Sequence, residues 1–253
     1  MILTFDEAPN IVRTLERLTW AREIVVLDSG SGDGTVEAAG AFPSVRVRTR
    51  RFDSHAQQWN AAIGDASITT EWVLALDADY MVTPDLSAEL ASLGPPDAVS
   101  GYRARFQFAM NGAVLRGSLY PPHVVLFRRR RGHYVQDGHT QRLVLEGDVH
   151  DLKATIVHDD RKPMRRWLAS QRAYAGQEAE RLRSIPWSEA GARDRVRKLL
   201  FLAPWAVPAY TLFGQGVVLD GWSGVRYAAQ RAIAETLIAR ELGRALLRSK
   251  GAR

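Results

Sequence analysis

The chain has 253 residues, of which 46% are hydrophobic and 25% are charged, as in an ordinary globular protein. It contains no cysteine, which excludes disulfides, thiolate metal sites, iron–sulfur clusters and cysteine nucleophiles. Any metal must therefore be held by oxygen and imidazole ligands. The formal net charge of +6 favours acidic partners, which include phosphorylated small molecules, anionic lipid headgroups and nucleic acid.

The N-terminal third of the chain alternates short apolar runs with amphipathic stretches, which is the pattern of successive β-α-β units around a parallel sheet. Residues 24–27 and 72–76 are continuous apolar runs and predict strands that are buried on both faces. The alternating residues 45–48 predict a strand nearer an edge. Apolar residues within 11–18 recur at helical spacing, and residues 56–63 are rich in helix-forming types, so both segments predict helices.

Beyond residue 84 the pattern is less regular and predicts hairpins. Aromatic-rich residues 101–110 and 124–128 predict strands, and Asn111-Gly112 is a typical hairpin turn. The run Arg128–Arg131 ends the second strand. Clustered arginines can neutralise nucleic-acid phosphates, but no nucleic-acid-binding motif accompanies this run. We therefore interpret it as a strand end and turn, and we expect no nucleic acid as partner.

The composition changes after residue 160. Residues 161–198 contain eleven basic and four acidic residues, a net charge of +7, and lead into residues 199–219, which contain no charged residue. An amphipathic helix is predicted over residues 225–247. This change predicts a domain over residues 1–160, followed by a basic and apolar helical extension over residues 161–253.

The uncharged stretch 199–219 is long enough to cross a bilayer, but two prolines and two glycines interrupt it, so we expect no straight spanning helix. Basic residues precede the stretch, and Trp205 and Tyr210 lie within it, which favours contact with anionic lipid at the cytoplasmic surface. A buried helical hairpin is the alternative. The N-terminus lacks the pattern of a secretory signal. We therefore expect a cytoplasmic protein, peripheral at the inner face of the cytoplasmic membrane.

Two carboxylates, Asp77 and Asp79, follow the apolar run 72–76. Residues two apart in a strand face the same side, so both carboxylates can converge at the carboxyl edge of the sheet, where α/β proteins bind ligands. Two oxygen donors at that place suit Mg²⁺ or Mn²⁺ shared with a phosphate. A solvated turn that caps the next helix is the alternative for an isolated Asp-x-Asp sequence.

The strand over residues 24–27 is also followed by an acid, Asp28, and then by a turn containing Gly30, Gly32 and Gly34. A carboxylate at this position can accept a hydrogen bond from a ribose hydroxyl or a base N–H, and the glycines allow backbone amides to approach a ligand. The spacing is neither that of a dinucleotide fingerprint nor that of a P-loop. A Rossmann dehydrogenase and a Walker NTPase are therefore not supported.

These motifs resemble glycosyltransferase family 2, the inverting nucleotide-sugar transferases of GT-A fold, and within it the bacterial lipopolysaccharide-core glycosyltransferases. The resemblance covers nearly the whole chain. It rests on residues 4–11, 28–35, 58–62, 72–79, 126–129 and 214–224. It implies an α/β fold with a mixed, mainly parallel sheet flanked by helices, residues 1–160 being the catalytic domain.

The resemblance also implies the reaction and the donor site. The implied reaction is transfer of a sugar from a nucleoside diphosphate sugar, with UDP as the expected nucleotide, to a hydroxyl of a cell-envelope glycan such as lipopolysaccharide core. Thr4 and Glu7 would border the base pocket, and Asp28 would hold the base or the ribose. Asn60 would line the same cleft, and Asp77 would lie beside the ribose. These five residues are the predicted nucleotide-sugar contacts.

A divalent cation, Mn²⁺ or Mg²⁺, is implied as cofactor. By resemblance, Asp79 would bind the cation that bridges the diphosphate, which neutralises charge on the leaving group. His158 is similar to a late histidine ligand found in many GT-A enzymes. A packed or solvated side chain is the alternative for His158.

Inversion needs a carboxylate that takes a proton from the acceptor hydroxyl. The core transferases commonly have Val-His-Glu where this chain reads Asp137-Gly138-His139-Thr140-Gln141, so the glutamate is missing. We predict Asp137 as the base, with His139 as its neighbour or substitute. Asp159 and Asp160 stay open as alternatives.

The missing glutamate leaves a second class of function open, a non-catalytic nucleotide-sugar or lipid-binding protein of the same fold. A nucleotidyltransferase shares the sheet and the metal-binding carboxylates. The chain lacks the basic glycine-rich loop near its N-terminus that such an enzyme would need.

Overall fold

The computed structural model describes residues 1–137 and 140–251, without the side chains of residues 249–251. It contains two compact units. Unit 1 comprises residues 1–114 and 120–162, and unit 2 comprises residues 115–119 and the chain from Pro163 onwards. The sequence boundary after residue 160 lies close to the end of unit 1, whereas the assignment of residues 115–119 to unit 2 was not expected.

The described part of unit 1 contains twelve strands and four helices. The strands are β1 (Ile2–Thr4), β2 (Ile24–Asp28), β3 (Val45–Thr49), β4 (Trp72–Leu74), β5 (Leu76–Asp77), β6 (Tyr80–Val82), β7 (Val99–Met110), β8 (Ala113–Val114), β9 (His123–Arg128), β10 (Gly132–Asp137), β11 (Thr140–Leu145) and β12 (Asp148–His158). The helices are α1 (Ile11–Glu16), α2 (Thr35–Gly40), α3 (His55–Ile63) and α4 (Pro84–Ser92). The described part of unit 2 contains α5 (Met164–Ser184), α6 (Ala192–Lys198), α7 (Ala203–Ala209) and α8 (Gly221–Gly251), with a π-helical turn at Tyr210–Gly214 and a 3₁₀ turn at Val217–Asp220.

A four-stranded parallel sheet forms the N-terminal part of unit 1, in the order β3-β2-β1-β5. Every residue of β2 is buried, as its continuous apolar run predicts, and β3 is the half-exposed edge strand that its alternation predicts. The chain moves outward from β1 to β2 and β3, and then returns to the other side of β1 as β5. The position between β1 and β5 is therefore a topological switch point, where open α/β sheets bind ligands.

The single strand predicted over residues 72–76 is split at Ala75. The first half, β4, pairs antiparallel with β9, whereas the second half, β5, pairs parallel with β1. The amide of Ala75 still donates to the carbonyl oxygen of Val125 at 2.7 Å, and the amide of Leu76 donates to that of Met1 at 3.0 Å. The chain thus passes from one sheet to the other at this residue, and Ala75 itself is buried.

The second sheet of unit 1 is mixed and has the order β4-β9-β7-β12-β6, with β8 paired to β7. Strands β7 and β12 are parallel, and the other pairs are antiparallel. Asn111 and Gly112 have φ values of +52° and +89°, which is the left-handed geometry of a tight hairpin turn. Strand β12 ends at His158, in register with Tyr80 of β6.

Arginines of the run at the end of β9 donate hydrogen bonds to main-chain carbonyl oxygens of unit 1. The guanidinium of Arg128 is buried, lies 4.7 Å from the centre of the Trp72 ring and donates to the carbonyl oxygen of Val99 at 2.9 Å. Arg129 and Arg131 donate to main-chain carbonyl oxygens at 3.0 and 2.7 Å. These arginines therefore stabilise a strand end and the 3₁₀ turn that follows it.

Unit 2 is held by an ionic network among α5, α6 and α8. Arg197 donates two hydrogen bonds to Glu235 and a third, at 2.8 Å, to Glu178, and all three side chains are buried. Arg181 extends the network by pairing with Glu178 at 2.8 Å and with Asp194 at 2.7 Å. Part of the basic charge in the predicted extension therefore serves helix packing.

The glycine-rich stretch 214–224 forms close contacts in unit 2. A Cβ atom on Gly224 would lie 1.7 Å from the carbonyl oxygen of Val217, so α8 can pack on the 3₁₀ turn only because this residue is glycine. Of the helices that the structure describes, none combines the length and apolar character needed to cross a bilayer.

Candidate active site

Three predicted site residues lie at the carboxyl ends of neighbouring parallel strands. Thr4 ends β1 and is in register with Asp28, which ends β2, while Leu3 is in register with Asp77, which ends β5. The adjacent strand ends bring Thr4, Asp28 and Asp77 to one edge of the sheet. This edge includes the switch point between β1 and β5, so the local topology defines the candidate site.

Asp28 shapes the glycine-rich turn in this structure. It is buried, and its carboxylate accepts hydrogen bonds from the hydroxyl of Thr4 at 2.9 Å and from the amides of Gly30 and Ser31, each at 2.8 Å. Gly30 has a φ of +96°, a conformation that strongly favours glycine. Thr4 and Asp28 thus hold the loop after β2 against the end of β1.

The loops that follow β1 and β2 are joined to each other. The amide of Asp6 donates to the hydroxyl of Ser31 at 2.7 Å, and the Asp6 carboxylate accepts from the amide of Gly32 at 2.7 Å. The amide of Glu7 donates to the hydroxyl of Thr35 at 2.7 Å. Asp6 adopts a φ of +52° to make these contacts. The two loops therefore form one cross-linked wall at the switch point.

Beside this edge, the buried Asp79 pairs with the half-buried His158. Nε2 of His158 lies 3.2 Å from Oδ2 of Asp79, whereas Nδ1 of His158 is buried and has no hydrogen-bond partner among the described residues. The rings of Tyr80, Phe108 and Tyr120 surround the imidazole, with centroids 5.2, 5.0 and 4.8 Å from its own. The aromatic rings fix the position of His158 against Asp79.

The two carboxylates of the Asp-x-Asp sequence differ strongly in acidity. Burial and the neighbouring charge of Asp79 raise the pKa of Asp77 to about 6. Burial also acts to raise the pKa of Asp79, but the charge and hydrogen bond of His158, together with the charge of Lys162, outweigh it and lower this pKa to about 2. Burial acts to lower the pKa of His158, but Asp79 raises it overall. Asp79 is therefore the permanently charged member of the cluster.

Lys162 places a cation in the same acidic cluster. Its Nζ lies 2.6 Å from Oε1 of Glu7 and 3.6 Å from Oδ1 of Asp160. The side-chain amide of Asn10 donates hydrogen bonds to these same two carboxylates, at 2.8 and 3.1 Å. Burial and the charge of Asp79 raise the pKa of Glu7 to about 7, although Lys162 opposes this shift. Glu7 is thus brought into the cluster with Asp79. Sequence analysis did not identify Lys162, because only tertiary structure joins it to Glu7. Asn10 lies three residues after Glu7, and sequence analysis gave it no role of its own.

The alternative bases Asp159 and Asp160 are engaged by cations. Asp159 is fully buried, and its Oδ2 lies 2.6 Å from Arg13 and 2.8 Å from Arg161. Its amide donates to the carbonyl oxygen of Asp79 at 3.1 Å, which fixes the turn that carries Asp79. Asp160 faces Lys162, as described above. Both carboxylates are thus paired with cations, Asp159 in a fully buried position and Asp160 in a half-buried one.

Two predicted site residues are associated with the β10–β11 hairpin. Asn60 of α3 contacts β10, and Asp137 is the last residue of β10. The amide group of Asn60 donates to the carbonyl oxygen of Tyr134 and accepts from its amide, both at 2.8 Å, so Asn60 holds β10 against α3. Asp137 ends β10 at the tip of the hairpin and is exposed. The contacts of the described residues do not join Asp137 to the Asp79–His158 pair. His139 lies outside the described residues.

The Asp79–His158 pair provides two ligand atoms of types that Mn²⁺ and Mg²⁺ accept, oxygen and imidazole nitrogen. Over residues 1–137 and 140–251, no group of three or more His, Asp or Glu side chains is arranged to hold a metal ion. Magnesium in particular is often bound by one or two carboxylates together with substrate phosphates and waters. The pair supplies donors of the right chemistry for a cation of this kind, and a cation held there would need further ligands from a bound phosphate and water.

Comparison with known proteins identifies the class. The family model described as glycosyl transferase family 2 matches residues 1–138, more than half of the chain. The chain therefore belongs to this family and is a glycosyltransferase, as predicted.

Individual relatives agree with this assignment. The chain is 27% identical over 221 residues to the lipopolysaccharide core biosynthesis glycosyltransferase LpsC of Rhizobium meliloti (strain 1021), covering 80% of this chain and 76% of the relative. It is similar to the structure of the mannosyltransferase PcManGT from Pyrobaculum calidifontis in complex with GDP-Man and Mn²⁺. That likeness has a TM-score of 0.53 at 17% identity and covers 95% of this chain and 85% of the other. The predicted GT-A fold class is confirmed.

Proposed function

We propose that this protein transfers a sugar, with inversion, from a nucleoside diphosphate sugar to a hydroxyl of a cell-envelope glycan. The observation that carries the proposal is the convergence of Asp77, Asp79 and His158 beside the switch point of the parallel sheet. Family membership supports the donor class, and we take UDP as the nucleotide. The similarity to LpsC supports lipopolysaccharide core as the acceptor.

The donor is proposed to lie against the cross-linked loops after β1 and β2. Because these loops already share hydrogen bonds, the pocket wall loses little conformational entropy when a nucleotide binds. In this proposal Asp77 accepts a hydrogen bond from a ribose hydroxyl, and the loop shaped by Thr4 and Asp28 borders the base. Asn60 contributes indirectly, because its side chain holds the backbone of β10 against α3.

Asp79 and His158 would hold a divalent cation, Mn²⁺ or Mg²⁺, which when bound neutralises charge on the diphosphate leaving group. The permanent charge of Asp79 suits this role, because a ligand carboxylate must be ionised. Lys162 adds a protein cation to the same cluster and balances Glu7 and Asp79. The proposed diphosphate site thus combines the carboxylates of Glu7 and Asp79 with the ammonium group of Lys162.

Asp137 is the proposed general base. It would take the proton of the acceptor hydroxyl as that oxygen forms its bond to the anomeric carbon, while the bond to the diphosphate breaks and its electrons leave with the diphosphate. An exposed carboxylate at a hairpin tip is open to an acceptor arriving from solvent. His139 would be its neighbour or substitute.

Titration calorimetry with UDP-, GDP- and dTDP-sugars, with and without Mn²⁺, tests the donor assignment. We expect binding by UDP-sugars that depends on the metal. A folded protein that binds no nucleotide sugar under either condition would contradict the assignment. Binding by another nucleotide class would correct the nucleotide and retain the reaction.

A non-catalytic nucleotide-sugar or lipid-binding protein is the second candidate, because Thr140 stands where the related transferases have glutamate. Asp137→Ala separates the two, with Asp148→Asn, an exposed carboxylate of the same unit, as the control. We expect wild-type turnover to fall at least a hundredfold in Asp137→Ala and to persist in the control. Turnover that survives Asp137→Ala excludes this base. Donor binding without turnover on any acceptor favours the binding protein.

A further inference from the structure

Unit 2 exposes large apolar side chains along one short stretch of the chain. Six of them are more than half exposed, and we call them the apolar patch: Phe201, Trp205, Tyr210, Phe213, Leu219 and Trp222. Trp205 and Trp222 are each nearly 80% exposed, at 78% and 79%. Apolar side chains concentrated in this way mark a surface that contacts another molecule or a membrane.

The patch is the outer side of a folded segment. Ala203, Thr211 and Val217 are buried on its inner side, and the hydroxyl of Thr211 donates to the carbonyl oxygen of Val207 at 2.8 Å. Trp205 and Phe213 are eight positions apart, about two helical turns through α7 and the π-helical turn, so the helical period brings these two residues towards the same side of the segment. The aromatic side chains are therefore presented outward by elements that already have a packed face.

Basic residues accompany the patch. Arg193 and Arg195 are exposed on α6, immediately before the patch in the chain. Residues 191–226 contain five basic and two acidic residues, and both acids are ion-paired. Asp194 pairs with Arg181 at 2.7 Å, and Asp220 pairs with Arg116 at 3.2 Å. The acids of this segment are thus neutralised by partners, and exposed positive charge directly precedes the apolar patch along the chain.

We infer that the apolar patch enters the headgroup region of an anionic membrane, with the exposed arginines of α6 against the lipid phosphates. Tryptophan and tyrosine favour the interface between hydrocarbon and water, and each basic residue near an anionic surface adds to the attraction. Both the apolar and the charged components of this surface therefore suit one partner. The inference names the residues by which the protein would contact the membrane, and it does not depend on the proposed sugar transfer.

Vesicle flotation of the full-length protein tests the inference. Wild type is expected to float with vesicles of phosphatidylcholine containing phosphatidylglycerol, and more weakly with phosphatidylcholine alone or at high salt. The double variant Trp205→Ser/Trp222→Ser should lower the partition coefficient at least tenfold. Trp20→Ser, which removes an exposed tryptophan of unit 1, is the matched control and should bind as wild type does.

The charge component is tested by Arg193→Glu/Arg195→Glu, which should reduce binding to anionic vesicles to the level seen with neutral vesicles. Circular dichroism checks that each variant is folded. Wild type that does not float, or a tryptophan double variant that floats as wild type does, would overturn the inference. So would a stable dimer in solution, measured by light scattering, that the tryptophan substitutions dissociate. Protein that floats but binds no nucleotide sugar contradicts the proposed function alone.

Discussion

Asp77→Asn is expected to stabilise the ligand-free protein at neutral pH while it weakens donor binding. Asp77 is ionised at neutral pH although it is half-buried and lies near the permanent charge of Asp79. Asparagine removes the charge, keeps the size of the side chain and can still accept the hydrogen bond from Tyr80. The stability gain and the binding loss come from the same carboxylate, as is common at functional sites.

The magnitude follows from the pKa of Asp77. Its value of about 6 in the folded protein lies above the ordinary value of 3.8, so the folded state binds more protons between these two pH values. The free energy of unfolding therefore falls as the pH rises from about 4 to 6 and stays reduced above that range. The shift corresponds to about 3 kcal/mol, and solvent screening at this partly exposed side chain brings the expected gain to about 1 to 3 kcal/mol.

Urea unfolding of chelator-treated protein at pH 8 and pH 4 measures this effect. The gain in Asp77→Asn should be present at pH 8 and should shrink to below about 1 kcal/mol at pH 4, because the carboxyl is then protonated in the folded state and its ionisation no longer opposes folding. Asp148→Asn serves as the control for loss of an exposed carboxylate. A gain of equal size at both pH values, or no gain at pH 8, would refute the electrostatic explanation.

Three further predictions concern separate parts of the chain. Asp79→Asn should weaken Mn²⁺-dependent donor binding at least tenfold in calorimetry, and unchanged affinity would remove Asp79 from the metal site. Burial lowers the pKa of His123 to about 4, so the stability that this neutral imidazole supports above pH 6.5 is lost as the pH falls towards 4. The loss at pH 5 is about 1 to 2 kcal/mol, and His123→Phe should flatten the pH dependence of urea unfolding; an equally steep profile would contradict this. Glu235→Ala leaves Arg197 in a buried site without its main partner and should cost about 3 to 5 kcal/mol in urea unfolding, and a loss below about 1 kcal/mol would show that the network contributes little.

The sequence predicted the parallel sheet well, because the signal for a doubly buried strand is local. The continuous run at β2 and the alternation at β3 each report the environment on the two faces of one strand, and the structure places both as expected. The Asn111-Gly112 turn was predictable for the same reason, since a tight hairpin needs left-handed residues at those positions. Local patterns were sufficient wherever the determining contacts lie within one element.

The break at Ala75 could not be predicted in this way. Residues on both sides of it are apolar, so the sequence pattern is identical whether one strand continues or two strands join different sheets. The choice depends on which neighbours offer free backbone groups, and only the folded chain determines that.

The candidate site likewise has some features that local sequence predicts and others that depend on the folded chain. The sequence by itself determined that carboxylates follow two of the buried strands, Asp28 after one and Asp77 after the other, because both signals lie within a single stretch of chain. Only the tertiary structure decided their chemistry. It joins Glu7 to Lys162 and Asp79 to His158 across the chain, and it gives Asp77 and Asp79 opposite pKa shifts. The physical reason is that electrostatic energy depends on distance in space and on burial, and neither quantity is encoded by position along the chain.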